Sequence, residues 1–243
     1  MRSIVLLSFF LLGWLSLSAQ FNNNNNRNRN WNNNRRVPSI SFGLEVATPQ
    51  NQFNNNFDGT PVGFSGQFLS NLGRSPFELG FGFSWLSRGT VSEEIWIYEG
   101  VDAEGDEVFG RGEVDVNSNI YTYTGVARLK PFAGAIQPYG DVIAGVRNFS
   151  TVTVITPDDS EEIETRERQH GDFTYTYGWA AGLKVRVTPV LFVEGRFSSL
   201  YGGPIDFVDR ESIQIGEEGG ITFDNVSSRT DMHIIEAGIS FEF

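Results

Sequence analysis

Between Ser39 and Phe243 the chain alternates apolar and polar residues in eight blocks of about ten positions. A period of two puts successive side chains on opposite faces of a strand, and no helical period appears in this region. The clearest blocks are Ile40, Phe42, Leu44, Val46, then Phe77, Leu79, Phe81, Phe83, Trp85, then Phe173, Tyr175, Tyr177, Trp179, Ala181, Leu183, Val185, and last Ile235, Ala237, Ile239, Phe241, Phe243. The connections alternate in length. Those around Asn71–Ser75, Ala133–Gln137 and Thr188-Pro189 are short, whereas those at about 48–61, 89–118, 150–172 and 202–230 are long. If both termini lie on one side, every short turn falls there and every long loop falls opposite. The reading is an all-β, eight-stranded antiparallel up-and-down transmembrane β-barrel, with short periplasmic turns and long outer loops.

A secreted soluble barrel of eight strands has the same period with its apolar face turned inward. Three features favour the membrane. The polar face is rich in Gly, Ser, Thr and Ala, which suits a narrow crowded lumen. Trp85, Tyr121, Tyr123, Tyr175, Tyr177 and Tyr201 gather near the long-loop ends of the apolar face, as an interfacial aromatic girdle does. Finally, Ile239, Phe241 and Phe243 alternate up to the last residue.

Upstream, Met1-Arg2 and the apolar Ile4–Leu17, followed by Ser18-Ala19, read as a signal peptide over 1–19. Residues 20–38 are expected to form a disordered periplasmic segment: positions 21–36 hold ten Asn and four Arg, too little apolar surface to offset ordering entropy. The barrel is assigned to 39–243.

Leader, strand pattern and the ending Ile239-x-Phe241-x-Phe243 together resemble the small outer-membrane β-barrels of diderm bacteria, a group that includes the OmpA transmembrane domain, OmpX and OmpW-like barrels. The resemblance implies residence in the outer membrane among phospholipid and lipopolysaccharide, with both termini periplasmic. It also implies that Ile239, Phe241 and Phe243 serve as the signal read by the barrel assembly machinery.

Charge sharpens the reading. The chain carries 18 Lys and Arg against 30 Asp and Glu, net −12, which argues against nucleic acid as a partner. The four long connections together carry −18. Acid therefore marks the outer face, where it keeps the loops solvated and could bridge through divalent cations to lipopolysaccharide phosphates. The runs Ile95–Tyr98 and Val152–Ile155 suggest hairpins that project past the bilayer and could bind a surface partner by strand addition. On the lumen side fall Glu45, Glu78, Asp141, Glu194 and Glu236 with Arg128, Arg147, Lys184, Arg186 and Arg196. Buried charges must pair, so these ten are expected to form a structural plug, with Arg186 and Glu194 partnered across a short turn. A narrow pore or small-ligand channel is the alternative.

Enzymatic chemistry finds little support. No Cys and only two His, at 170 and 233, exclude thiolate and multi-His metal centres, and no EF-hand spacing occurs. No cofactor or metal is expected. Barrels of this size that modify lipid A need a His with a Ser and an acid at the outer rim, and His233 is followed by Ile234 and Ile235. The reading is a non-enzymatic barrel protein with a structural or surface-interaction role. A lipid-A-modifying enzyme is the more distant alternative.

Overall fold

The computed structural model describes residues 38–56, 59–73, 75–101, 107–157, 165–208, 214–215, 221–222 and 225–243. The 1–19 leader, all of the 20–38 segment except Pro38, and the acidic stretches at 102–106, 158–164, 209–213 and 216–220 lie outside the described residues.

Eight strands close into a barrel: β1 (Ser39–Pro49), β2 (Val62–Asn71), β3 (Phe77–Val101), β4 (Glu107–Leu129), β5 (Ile136–Pro157), β6 (Thr165–Arg186), β7 (Leu191–Gly202) and β12 (Met232–Glu242). Each pairs antiparallel with its neighbour in sequence, and β12 returns to β1, so closure leaves no free edge in the barrel wall. A six-residue helix α1 (Asn51–Asn56) follows β1, too short for a helical period to show in the sequence. In the last long connection, β8 (Pro204–Val208) pairs with β11 (Asn225–Arg229), and β9 (Gln214–Ile215) pairs with β10 (Ile221–Thr222).

The alternation resolves into inside and outside with a definite sign. Leu44 is 72% exposed and the adjacent Glu45 is 4% exposed. The same inversion recurs around the wall, where Val142, Phe173, Ile235 and Ile239 are exposed and Asp141, Thr174, Glu236 and Ser240 are buried. An apolar exterior with a polar interior excludes the soluble barrel, whose outer face meets water. Only hydrocarbon covers such a surface favourably. Aromatic rings mesh across neighbouring strands on this exterior, as in Phe64 with Trp85 at 5.2 Å, Phe83 with Tyr123 at 5.3 Å and Tyr177 with Tyr201 at 5.7 Å. Pairs of this kind add to the stability of a sheet beyond the area they cover.

Four strands are far longer than the ten-residue blocks suggest: β3 to β6 span 25, 23, 22 and 22 residues. Much of what reads as acidic loop is therefore strand. Glu94 stands opposite Glu113, and Ser92 opposite Asp115, in a ladder that continues to Val101 and Glu107. Ten extra residues at about 3.3 Å each add about 30 Å of strand. The β2–β3 ladder stops at Ser87 and the β6–β7 ladder at Thr176. Beyond those points β3 to β6 carry the same sheet on as four strands, and among the described residues its β3 side beyond Thr90 has no further ladder partner.

Candidate functional site

The lumen gathers the chemistry. Position parity alone sends a side chain inward, and closure of the barrel then decides what it meets. Seven carboxylates (Glu45, Glu78, Asp141, Glu194, Asp231, Glu236, Glu242) and five cations (Arg128, Lys130, Arg147, Lys184, Arg196) are buried among the described residues.

Nearest the short turns, Lys130 Nζ lies 2.7 Å from Glu78 and 2.9 Å from Glu242. Lys184 Nζ donates to Ser240 Oγ at 2.7 Å and stands 3.8 Å from Glu242 and 3.7 Å from Glu194. Phe192, inward-facing and fully buried, adds an apolar member at this end.

Above this layer Arg128 is the hub. Its guanidinium donates to both oxygens of Asp141 at 2.7 and 2.9 Å and to Gln67 Oε1 at 3.1 Å, and lies 3.5 Å from Glu194. Two parallel bonds to one carboxylate are the strong form of this pair. The same guanidinium sits over the Tyr139 ring, 3.6 Å from its centroid, while the Tyr139 hydroxyl donates to Glu194. Arg196 completes the layer, with one Nη 3.1 Å from Asp141 and the other 3.1 Å from Glu236. Gly182 makes room for the ring: a Cβ there would come within 2.2 Å of the Tyr139 hydroxyl oxygen.

Higher still, Glu45 accepts from Ser84 and borders a cavity of about 30 Å³ shared with Ser65, Gln67, Thr122, Ser198 and Arg196. Over the cavity the lumen turns apolar. Leu86, Ile120, Ile143, Phe149, Leu200 and Ile234 project inward and close on Phe53, which α1 delivers from above. Arg147 is fully buried at this level, donating to Thr230 O at 2.6 Å and Thr122 Oγ1 at 3.3 Å.

Nine of the ten charged positions expected in the lumen are buried there: Glu45, Glu78, Arg128, Asp141, Arg147, Lys184, Glu194, Arg196 and Glu236. Arg186 is the exception. It has inward parity, but it is the last residue of β6, where the barrel opens, and it lies exposed with its guanidinium 5.3 Å from the Phe192 ring. Its expected partnership with Glu194 is corrected accordingly. The β6–β7 register sets Lys184 opposite Glu194, and Arg128, Tyr139 and Ser41 reach the same carboxylate from across the lumen.

Lys130, Glu242 and Tyr139 join the network without having been singled out in the sequence. Their signal was parity with Arg128, Glu236 and Asp141. Phe53 carried no signal in its Asn-rich surroundings. On the exterior, Ile239 and Phe243 are exposed, and Phe241 pairs with Ile40 across the closing β1–β12 seam. His233 faces outward with its ring 5.3 Å from Phe197, and His170 lies in the extended part of β6 opposite Thr151. Among the described residues no group of three or more His, Asp or Glu side chains could hold a metal ion.

No protein-family model matches this chain, and no curated protein matches it. The solved structures it is similar to are small outer-membrane β-barrels. Neisserial surface protein A is 10% identical with a TM-score of 0.45, over 85% of this chain and 96% of that one. Ail, the attachment invasion locus protein of Yersinia pestis, is 13% identical with a TM-score of 0.41, over 85% and 97%. The outer membrane protein W of E. coli is 11% identical with a TM-score of 0.37, over 86% and 98%.

Proposed function

We propose that this chain is a non-enzymatic outer-membrane β-barrel protein with a structural or surface-interaction role, and that it is not a channel. The observation that carries this reading is the lumen. A pore needs a continuous polar path, whereas here two layers of ion pairs block the turn end and an apolar collar blocks the loop end. A narrow eight-stranded barrel filled by its own side chains is a packed core.

In this reading the turns and both termini face the periplasm, and the loops and the β3–β6 sheet face outward. Acid concentrated on the projecting end suits a face that meets the medium and, through divalent cations, lipopolysaccharide phosphates. Ile239, Phe241 and Phe243 are then the assembly signal, presented on the strand that closes the barrel. The β3 edge beyond Thr90 is the place where a surface partner would add a strand.

The test is topological. An epitope inserted at 103–105 should be accessible to antibody on intact cells, and one inserted at Gly73 should be accessible only after the outer membrane is permeabilised. The reverse pattern would overturn the orientation, and equal access would overturn membrane insertion. Replacing residues 93–114 by a two-residue turn should leave the barrel folded and abolish any surface binding that the intact protein confers on cells.

A further inference from the structure

The cavity beside Glu45 has an unusual boundary. Ile143, Leu200 and Ile234 line it and also belong to the apolar cluster that holds Phe53. The roof of the polar cavity is thus the underside of the apolar collar. On the opposite side the Arg128 and Lys130 layers separate the cavity from the turn end.

Within the cavity several polar groups are only partly satisfied. The Glu45 carboxylate accepts from Ser84, and no Lys or Arg nitrogen among the described residues lies within 4.0 Å of it. Ser65 Oγ and Arg196 Nε are buried and make no hydrogen bond of normal geometry within the chain, though Ser65 also faces the Glu45 carboxylate. A buried carboxylate with so little support is costly, as is each buried donor without an acceptor. An occupant that accepts from Arg196 Nε and donates to Glu45 would satisfy both and complete their ion pair at one remove. A cation there would face the Arg196 guanidinium, and an anion would face Glu45, so the occupant is neutral. The 30 Å³ volume has room for up to two molecules the size of water at about 15 Å³ each.

Two members of the apolar cluster stand off the barrel wall, Phe53 on α1 and Ile205 on β8. Phe53 is held by edge-to-face contact with Phe149 at 5.9 Å, and its six-residue helix is pinned to the last connection near Asp231. There Gln50 N donates to Asp231 O at 2.9 Å and Asn51 Nδ2 donates to Asp231 Oδ2 at 3.1 Å. The remaining cluster residues stand on barrel strands and cannot leave without opening the wall.

We propose that the Glu45–Ser65–Arg196 pocket is a dead-end binding site for one or two neutral, water-sized hydrogen-bonding molecules, entered from the loop end past Phe53. Because the chain has no Cys, a single introduced thiol reports on the pocket alone. Ser65→Cys in the full-length protein, refolded in lipid vesicles, is labelled with methyl methanethiosulfonate. Labelling should be slow with Phe53 in place and about tenfold or more faster with Phe53→Ala, which removes the stopper. Asn51→Ala, which keeps Phe53 but removes one tether, should give an intermediate rise and guards against a Phe53→Ala variant that fails to fold. Equal rates in all three backgrounds would overturn the entry route. So would acceleration by Lys130→Ala at the turn end in place of Phe53→Ala. A high-resolution crystal structure should show one or two water-sized peaks within hydrogen-bond distance of Glu45, Ser65 and Arg196, and a dry pocket would overturn the site.

Discussion

Removing Arg128 tests the plug where it is most concentrated. In the Arg128→Met variant Asp141 loses its bidentate partner and keeps only Arg196, Gln67 loses its donor, and Glu194 is left to Lys184, Tyr139 and Ser41. The buried acid, already seven groups against five, then faces four. Breaking a buried ion pair from one side costs about 3–5 kcal/mol, because the partner charge stays behind uncompensated. Asp141→Leu strands Arg128 in the same way and should cost a similar amount. The double variant removes both charges and fills the site with apolar atoms, so its cost should fall short of the sum of the single variants by at least about 2 kcal/mol. Arg186→Met is the internal control: exposed at the mouth, it should stay within about 0.5 kcal/mol of the parent. Equilibrium urea unfolding of vesicle-refolded protein, followed by Trp fluorescence, measures all four. If Arg128→Met costs under about 1 kcal/mol, or the single costs simply add, the lumen is not the paired and desolvated core described above.

Gly182→Ala should displace the Tyr139 ring from under Arg128 and destabilise by about 1–3 kcal/mol in the same unfolding assay, and pairing it with Tyr139→Ala should recover part of that loss. Val142→Arg, near the middle of the exposed apolar face, should cost about 2–4 kcal/mol in a bilayer, and a neutral outcome would place that face outside hydrocarbon. Deleting Phe243 should lower the amount of folded, heat-modifiable protein recovered from outer membranes without changing the mobility of what does fold. Unchanged recovery would remove the residue from the assembly signal.

Much of this was legible because the side-chain period of a strand is two, and a barrel with unlike faces shows it plainly. Leu44 beside Glu45, or Val142 beside Asp141, needs no tertiary information to be sorted onto opposite faces. The period alone does not say which face is inside, and the girdle tyrosines and the crowded small residues supplied that sign. Strand length was legible in part: the runs Ile95–Tyr98 and Val152–Ile155 pointed to hairpins from β3 to β6 that project past the bilayer, and β3 to β6 are indeed long. The charges from Glu93 to Asp115 hid their extent, although Val114 and Val116 continue the inward period with both side chains buried. Partner choice was the least legible. Arg186 and Glu194 are close in sequence, but the wall register and the end of the lumen decide in favour of Lys184. Tyr139 and Arg128 reach Glu194 only because a closed barrel brings non-neighbouring strands face to face. Phe53 depends on a six-residue helix whose place is set by contacts with the far end of the chain.

The central claim is a membrane barrel whose lumen is a packed core and not a passage. Single-channel recording with the purified full-length protein in planar bilayers tests it directly. Inserted protein, verified by its heat-modifiable mobility, should show no steady conductance in salt solution. Steady open channels in the unaltered protein that disappear when Arg147 or Glu194 is changed would contradict the plug and establish a pore.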